Sequence, residues 1–93
     1  MMNQQDREIL RQRVIGYLAT RQQLQFEAGS IKRSLVSRQN IDFEVSDSDI
    51  DQALIFGEGL EFVEHTVSEV GATIYWKATS KAVLEAERNG WNV

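Results

Sequence analysis

Few side chains in this sequence have the type and spacing that catalysis or metal binding requires. His65 is the only histidine, it lies in a segment with the alternating pattern of a β-strand, and there is no cysteine. A metal site would have to rest on His65 and scattered carboxylates, and the sequence offers no Ser-His-Asp order to propose as a triad. The glycines follow neither of the common phosphate-binding patterns. We therefore expect a non-enzymatic chain with no catalytic residue, no metal ligand and no cofactor.

The most suggestive carboxylates are Asp47, Asp49 and Asp51, whose alternation is similar to that of a calcium-binding loop. Such a loop also needs a glycine at its sixth position, which is absent here. Acidic residues are common in the first turn of a helix, where they face the positive end of the helix dipole. The three carboxylates are therefore predicted to begin a helix.

Charge is divided unevenly along the chain. The 93 residues carry a net charge of −4. Residues 1–38 contain seven basic and three acidic residues, whereas residues 39–93 contain three basic and eleven acidic residues. No lysine or arginine occurs between Gln39 and Trp76. This asymmetry predicts one basic and one acidic surface, each favouring partners of the opposite charge.

Apolar periodicity predicts the elements of the N-terminal half. From Asp6 to about Gln22, apolar residues recur at helical spacing. Residues 24–28 alternate as in a short strand or an extended connection, and Ser30 is a suitable N-cap for a second helix that continues to about Arg38. Residues 41–45 alternate again, which fits either a strand or an extended loop held by three apolar side chains.

A capping pattern predicts the third helix. Ser46 and Asp49 have the spacing of a capping box, so the helix should start near Asp47. It should end at Gly57 or Gly59, one of them in a left-handed C-terminal cap.

The C-terminal part reads as a hairpin followed by a last helix. Residues 60–68 and 72–79 are rich in β-forming side chains, and Gly71 between them is free to adopt positive φ. Thr79 and Gly90 are the predicted caps of the last helix. Trp91 lies beyond it, and we expect Trp91 to fold back on the first helix or else to mark a contact surface.

The chain length predicts one domain over residues 1–93, with residues 1–4 and 91–93 as flexible tails. No apolar run approaches the length of a membrane span, and the polar N-terminus lacks the features of a signal peptide. We therefore expect a cytoplasmic location and no membrane partner.

The order of these elements resembles the winged-helix (winged helix-turn-helix) family of small bacterial or phage type. The matching stretches are Ala53-Leu54, Gly59, Phe62-Val63 and residues 75–81, with Ala82 where many members have glycine. The resemblance implies an α+β fold in which three helices and a C-terminal helix pack with a β-hairpin wing and a short extra strand. The connection from Arg38 to Asp47 is longer than a usual helix-turn-helix connection.

The acidic half of the chain leads to the first functional prediction. In winged helices that read DNA, the third helix usually enters the major groove. Here that helix and the wing are acidic, so they cannot pair with phosphates. We therefore expect an interaction module of bacterial or phage nucleic-acid regulation that acts through contacts with a protein partner. Its acidic partner-binding surface is predicted to contain Asp47, Asp49, Asp51, Glu58, Glu64 and Glu69.

The alternative is a transcriptional regulator that binds DNA through a basic face of the first two helices. Its candidate residues are Arg7, Arg11, Arg13, Lys32, Arg33 and Arg38. A solvated helix face would account for the same residues without any partner. A homodimer is also open, because the positive half of one copy complements the negative half of another.

Overall fold

The structure is a computed structural model that describes residues 2–91. These residues form four helices and one two-stranded antiparallel sheet. In chain order the elements are α1 (Gln4–Thr20), α2 (Ala28–Ser37), α3 (Asp47–Gly59), β1 (Val63–Val67), β2 (Ile74–Ala78) and α4 (Ser80–Asn89). The predicted α+β class, with a hairpin before the last helix, is confirmed.

α1 lies at the centre of the core. It packs against the other three helices and against β2. Leu10, Val14 and Leu18, spaced four residues apart along one face, are at most 2% exposed. The residues that complete this core from the neighbouring helices are Ile31, Leu35, Ile50 and Leu54. The apolar stripe of α1 is therefore the surface on which the other elements assemble.

α2 begins earlier than the sequence predicts. Its first residue is Ala28 and its N-cap is Glu27, whose side chain makes no capping hydrogen bond. The prediction of Ser30 as the N-cap is wrong, because the backbone N–H of Ser30 already donates to the carbonyl of Glu27 at 3.1 Å. Ser30 therefore lies inside the first turn.

The short strand predicted at residues 24–28 is reduced to a single bridge. Phe26 and Trp76 exchange two backbone hydrogen bonds of 2.9 and 2.8 Å. The extended segment ends there because α2 begins two residues later. Phe26 thus covers one point of the β2 edge that faces away from β1, and its ring lies 5.2 Å from that of Tyr17.

α3 begins as the capping pattern predicts. The hydroxyl of Ser46 accepts a hydrogen bond from the backbone N–H of Asp49 at 3.1 Å. The Asp49 carboxylate in turn accepts from the backbone N–H of Ser46 at 2.9 Å. Both halves of the capping box are present, so two backbone donors at the start of α3 have partners.

The end of α3 differs from the prediction. The C-cap is Leu60 with φ of −94°, and the left-handed residue is Glu61 with φ of 64°. The prediction of a left-handed glycine cap at Gly57 or Gly59 is therefore wrong. Gly57 is buried within the helix instead, where a Cβ would lie only 3.3 Å from a methyl group of Val63. The lack of a side chain at Gly57 allows β1 to approach α3 closely.

The connection between α2 and α3 is an extended loop, as one of the two interpretations predicts. Val45 is buried, and Ile41 and Phe43 are partly buried against the core. Residues 41–45 form no strand. Three apolar anchors therefore fix a connection that is long for a helix-turn-helix.

The hairpin is shorter than predicted, and its end near the turn is exposed to solvent. Its antiparallel register places Val63 opposite Ala78 and Val67 opposite Ile74. The first pair is buried, whereas Val67 is 55% and Ile74 46% exposed. Gly71 has the expected positive φ, at 85°. The sheet face that starts in the core therefore continues into solvent.

α4 has the predicted caps. The hydroxyl of Thr79 accepts a hydrogen bond from the N–H of Ala82 at 3.3 Å, and Gly90 is left-handed with φ of 69°. Trp91 then folds back on α1, as expected. Its backbone lies so close to Gly16 that a Cβ at residue 16 would overlap the Trp91 carbonyl oxygen.

The segments predicted as tails make contacts where the structure describes them. Met2 packs against the core, and the side chain of Asn3 caps α1 by accepting from the N–H of Asp6 at 2.8 Å. Gln4 is the first residue of α1. Met1, Asn92 and Val93 lie outside the described residues.

Candidate binding surfaces

The first carboxylate of α3 is paired with a cation of α2. Lys32 Nζ lies 3.0 Å from Asp47 Oδ1, and the Asp47 side chain remains 86% exposed. A pair this exposed contributes little to stability because water and salt screen it. It does neutralise Lys32, one of the two basic residues of α2.

Asp49 has a structural role. The hydrogen bond from the backbone N–H of Ser46 lowers the pKa of the Asp49 carboxyl below its ordinary value of 3.8, with a smaller contribution from the charge of Arg7. Because the carboxylate is occupied by the capping box, it is less available to a partner than the other acidic residues of α3.

We expect Asp49→Asn to lower the free energy of unfolding by about 1 kcal/mol at neutral pH, because a neutral amide oxygen accepts from the Ser46 N–H less strongly than the carboxylate and no longer interacts with the helix dipole. The pKa is lowered in the folded state, so this stabilisation is complete above the unfolded value of 3.8 and is lost as the pH falls through the folded value. Urea unfolding between neutral pH and about pH 2.5 measures the gap between the two proteins. The difference in unfolding free energy between the unsubstituted chain and Asp49→Asn should disappear as the pH approaches about 2.5. Asp51→Asn is the control, expected to stay within about 0.5 kcal/mol; a gap that persists in acid would contradict this assignment.

The other predicted acidic residues are spread over α3 and the hairpin. Glu58 contacts His65 on β1, and the His65 ring lies 5.2 Å from that of Trp76. Glu64 lies 3.4 Å from Lys77 on the neighbouring strand. Asp51 on α3 and Glu69 in the hairpin turn are exposed. The predicted acidic residues therefore occur from the start of α3 to the hairpin turn, and Glu64 and Asp47 each lie beside a lysine.

The predicted basic residues have three different sets of neighbours. Arg7 and Arg11 lie beside α3, where the Arg11 guanidinium stacks 3.6 Å above the ring of Phe56. Arg13 donates to the carbonyl of Asn40 at 3.1 Å, close to Arg38 at the C-cap of α2. The third group is Lys32 and Arg33 on α2.

Arg33 is the most accessible cation of α2. It is exposed, and its guanidinium donates only to the hydroxyl of Ser30, at 3.2 Å. Among residues 2–91, it has no ion pair. Arg33 is therefore free to pair with an anionic group from outside the molecule.

Neighbouring helices present opposite charges at one surface, which we call the α2–α3 face. Lys32 and Arg33 of α2 line a groove together with Asp47 and Asp51 of α3. The same two helices also carry exposed apolar side chains, Val36 on α2 at 52% and Ile55 on α3 at 61% exposure. Sequence analysis missed both, because they fit the general apolar composition of helices that bury a face; only the packing shows that they point away from the core.

The described residues were also compared with the requirements of a metal site and of a membrane-spanning helix. No group of three or more histidine, aspartate and glutamate side chains within residues 2–91 is placed to hold a metal ion. No helix in that range is long and apolar enough to cross a membrane.

Two solved structures of a variant of ZitR from Lactococcus lactis share this arrangement of helices and hairpin. One, in the apo form, gives a TM-score of 0.68 at 16% identity over 92% of this chain, and the other gives 0.66 at 17% identity over 87%. The likeness shows that this chain shares with ZitR an α+β fold of helices and a two-stranded antiparallel hairpin. This chain spans 58% and 49% of the two ZitR chains, respectively. No protein-family model matches the sequence, and no curated protein does.

The winged-helix prediction made from the sequence assigns α2 and α3 to the helix-turn-helix and β1 and β2 to the wing. In that prediction the acidic helix α3 is the one that usually enters the major groove. The predicted order of the helices and the hairpin strands is confirmed. The single Phe26–Trp76 bridge stands where a short extra strand was predicted.

Proposed function

We propose that this chain is a DNA-binding winged-helix regulator whose phosphate contacts come from α1 and α2 and not from α3. The likeness to ZitR, a transcription regulator, over most of this chain is the observation that carries the proposal. It supports the DNA-binding alternative better than the prediction of a module acting mainly through protein contacts. It also favours a non-enzymatic role, because the matched structures are of a regulator.

The charges of α3 argue against the usual orientation on DNA. Asp51 is exposed on its outer side, and Asp47 and Glu58 flank it along the helix. Phosphate contacts fix a protein on the duplex before any base is read. A helix with these carboxylates and no cation would be repelled by the backbone on both sides of the groove.

α2 offers the opposite charge. Arg33 is exposed near the start of the helix, where a Cβ at Gly29 would meet only the Arg33 guanidinium at 3.7 Å. The first turn of a helix presents free backbone N–H groups and the positive end of the dipole, which favour a phosphate. Arg38 at the other end of α2 is also exposed. We therefore assign the main phosphate contacts to Arg33 and Arg38.

We expect Arg33→Gln and Arg38→Gln each to weaken duplex binding by about tenfold, because each removes one charge-assisted contact. Binding should weaken on every DNA sequence, and the slope of log K against log salt should flatten by about 0.9 per substitution. Fluorescence anisotropy with a labelled duplex at several salt concentrations measures both quantities.

Arg88→Gln is the matched control, since Arg88 is an exposed arginine on α4 whose partner is Glu85 at 2.8 Å. It should leave affinity and salt slope unchanged. Salt-sensitive binding that is indifferent to Arg33 and Arg38 would refute the assignment of these residues. Absence of duplex binding by the unsubstituted chain at low salt would refute the proposed function itself.

A further inference from the structure

The hydrogen bonds of the hairpin show which backbone groups of β1 point outward. Trp76 of β2 uses both its N–H and its carbonyl on Phe26, at 2.8 and 2.9 Å, so its backbone points away from β1. In an antiparallel pair, two residues directly opposite each other point either both toward or both away from one another. His65 lies opposite Trp76. The backbone of His65 therefore points away from β2.

The same alternation settles the neighbouring residues of β1. Val67 lies two residues after His65 and also points outward, whereas Ser68 points inward, since its N–H donates to the carbonyl of Thr73 at 2.8 Å. Within the part of the chain that the structure describes, the outward N–H and carbonyl groups of His65 and Val67 have no backbone partner. Both residues are exposed. These groups, which we call the β1 edge, are placed to pair with a third strand.

An apolar face adjoins the β1 edge. Val67 lies opposite Ile74 in the register, so the two side chains share one face of the hairpin. The buried side chains of Val63 and Trp76 lie on the same face nearer the core. Val67 is 55% and Ile74 46% exposed. A strand added at the β1 edge would place every second side chain on this face beside Val67, and apolar side chains there would remove it from water.

The opposite face of β1 is acidic. Glu64 lies on it, 3.4 Å from Lys77 of the neighbouring strand, and its side chain is still 52% exposed. Glu61 before β1 and Glu69 after it are exposed, and neither has an ion pair within residues 2–91. β1 itself contains no lysine or arginine. A strand with basic side chains on this face would therefore be attracted to Glu64 from the side away from Lys77.

These charges distinguish between the possible occupants of the β1 edge. Two copies of this chain joined edge to edge would gather Glu64 of both onto one small sheet, and like charges on neighbouring strands are destabilising. Duplex DNA is disfavoured too, because carboxylates cannot pair with phosphates. A basic segment meets neither obstacle.

We propose that the β1 edge binds an extended segment of another protein in which apolar and basic residues alternate. The segment adds as a third strand, hydrogen-bonded to the backbone of His65 and Val67. Its apolar side chains cover Val67, and its basic side chains lie on the side of Glu64. Arg33 and Arg38, to which the DNA contacts are assigned, belong to α2 and its C-cap. The proposal therefore goes beyond the proposed function and does not rest on it.

The test uses a fluorescein-labelled heptapeptide of alternating lysine and valine, with its anisotropy measured against the full chain without DNA. We expect saturable binding that weakens as salt is added. A heptapeptide with the same lysines and valines in two separate blocks should bind about tenfold or more weakly, because a strand of that sequence cannot place its apolar and basic side chains on opposite faces. Equal affinity for the two peptides, or no binding of the alternating one up to about 1 mM, overturns the proposal.

Val67→Pro tests the backbone of the edge. Because the N–H of Val67 points outward, proline removes a donor that the added strand needs and leaves the hydrogen bonds between β1 and β2 in place. We expect the peptide affinity to fall by about tenfold or more. Circular dichroism checks that the variant is folded. A folded Val67→Pro chain that binds as well as the unsubstituted one overturns the proposal.

Glu64→Lys tests the charge and also serves if Val67→Pro does not fold. It replaces an attraction by a repulsion, so we expect about tenfold or more loss of peptide affinity. Glu87→Lys is the matched control, since Glu87 is an exposed acid of α4 that has no ion pair within residues 2–91. It should leave the affinity unchanged. Equal losses for the two substitutions would mean that the peptide responds only to net charge, which overturns the proposal.

Amide hydrogen exchange locates the bound strand. In the peptide complex, exchange at His65 and Val67 should slow by about tenfold or more, whereas Glu64 and Thr66, whose N–H groups face β2, should already be slow in the free chain. Unchanged exchange at His65 and Val67 overturns the site. The same slowing caused by raising the chain concentration, or by duplex DNA, overturns the assignment to another protein. These outcomes do not involve Arg33 or Arg38, so the site and the proposed function can fail separately.

Discussion

Leu54→Ala is expected to lower the free energy of unfolding by about 3 kcal/mol, the largest effect we predict for a single side chain. Leu54 is fully buried in α3, which packs against α1 and β1. Truncation removes apolar contacts and leaves a cavity that a close-packed interior fills only in part. A domain of this size has a total stability of roughly 5 to 14 kcal/mol, so the loss is a large share of it.

Ile55→Ala is the matched control because it removes a similar volume from the next residue of the same helix. Ile55 is 61% exposed, so we expect a change within about 0.5 kcal/mol. Chemical unfolding in urea measures both variants. Equal losses for the two substitutions would mean that α3 is rotated relative to the core from the orientation described above.

Gly16→Ala is the second large prediction, and its sign is opposite to that expected from helix propensity. Within an exposed helix, alanine is favoured over glycine by about 1 kcal/mol. At residue 16 the new Cβ would overlap the Trp91 carbonyl oxygen and lie 3.0 Å from its carbonyl carbon. The Trp91 segment must therefore leave α1. We expect a net loss of about 1 to 2 kcal/mol, since the partly buried indole loses its packing.

Ending the chain at Gly90 should reverse the sign of the Gly16 effect. Without Trp91 the methyl group meets no obstacle, and the substitution should stabilise by up to about 1 kcal/mol. Gly29→Ala in the full chain is a second control, because its Cβ would make only an ordinary contact with Arg33. Thermal unfolding of the full and the shortened chain, each with and without Gly16→Ala, gives the coupling energy between Gly16 and the Trp91 segment. The same sign for Gly16→Ala with and without Trp91 would contradict the close approach.

Local signals allowed much of the fold to be predicted. The helix caps are made by residues no more than four positions apart in the sequence. They are the capping box of Ser46 and Asp49, the Thr79 cap and the Gly90 cap. Apolar spacing located α1 because one continuous stripe of it is buried. Such features depend on the near neighbours of a residue, which a sequence displays directly.

Features that depend on tertiary packing could not be read in this way. Gly57 looks like a helix stop in the sequence, yet it serves the approach of Val63 from β1. Ser30 looks like a cap, yet backbone geometry places the helix start at Ala28. The different neighbours of the basic residues depend on how α1 and α2 pack. The ion pair between Lys32 and Asp47 likewise depends on how α2 packs on α3.

The Phe26–Trp76 bridge leaves the two edges of the hairpin unequal. β2 has β1 on one side and Phe26 at one point of the other, whereas the outer edge of β1 has no backbone neighbour among residues 2–91. The adjoining segment 67–76 is rich in β-forming residues, and Glu69 is its only charged residue. An open edge of this kind is where chains can add strand to strand during concentration or storage. Glu64 places an exposed charge on β1, and charges on an edge strand oppose such pairing, so we expect its replacement by an apolar residue to promote aggregation through the hairpin.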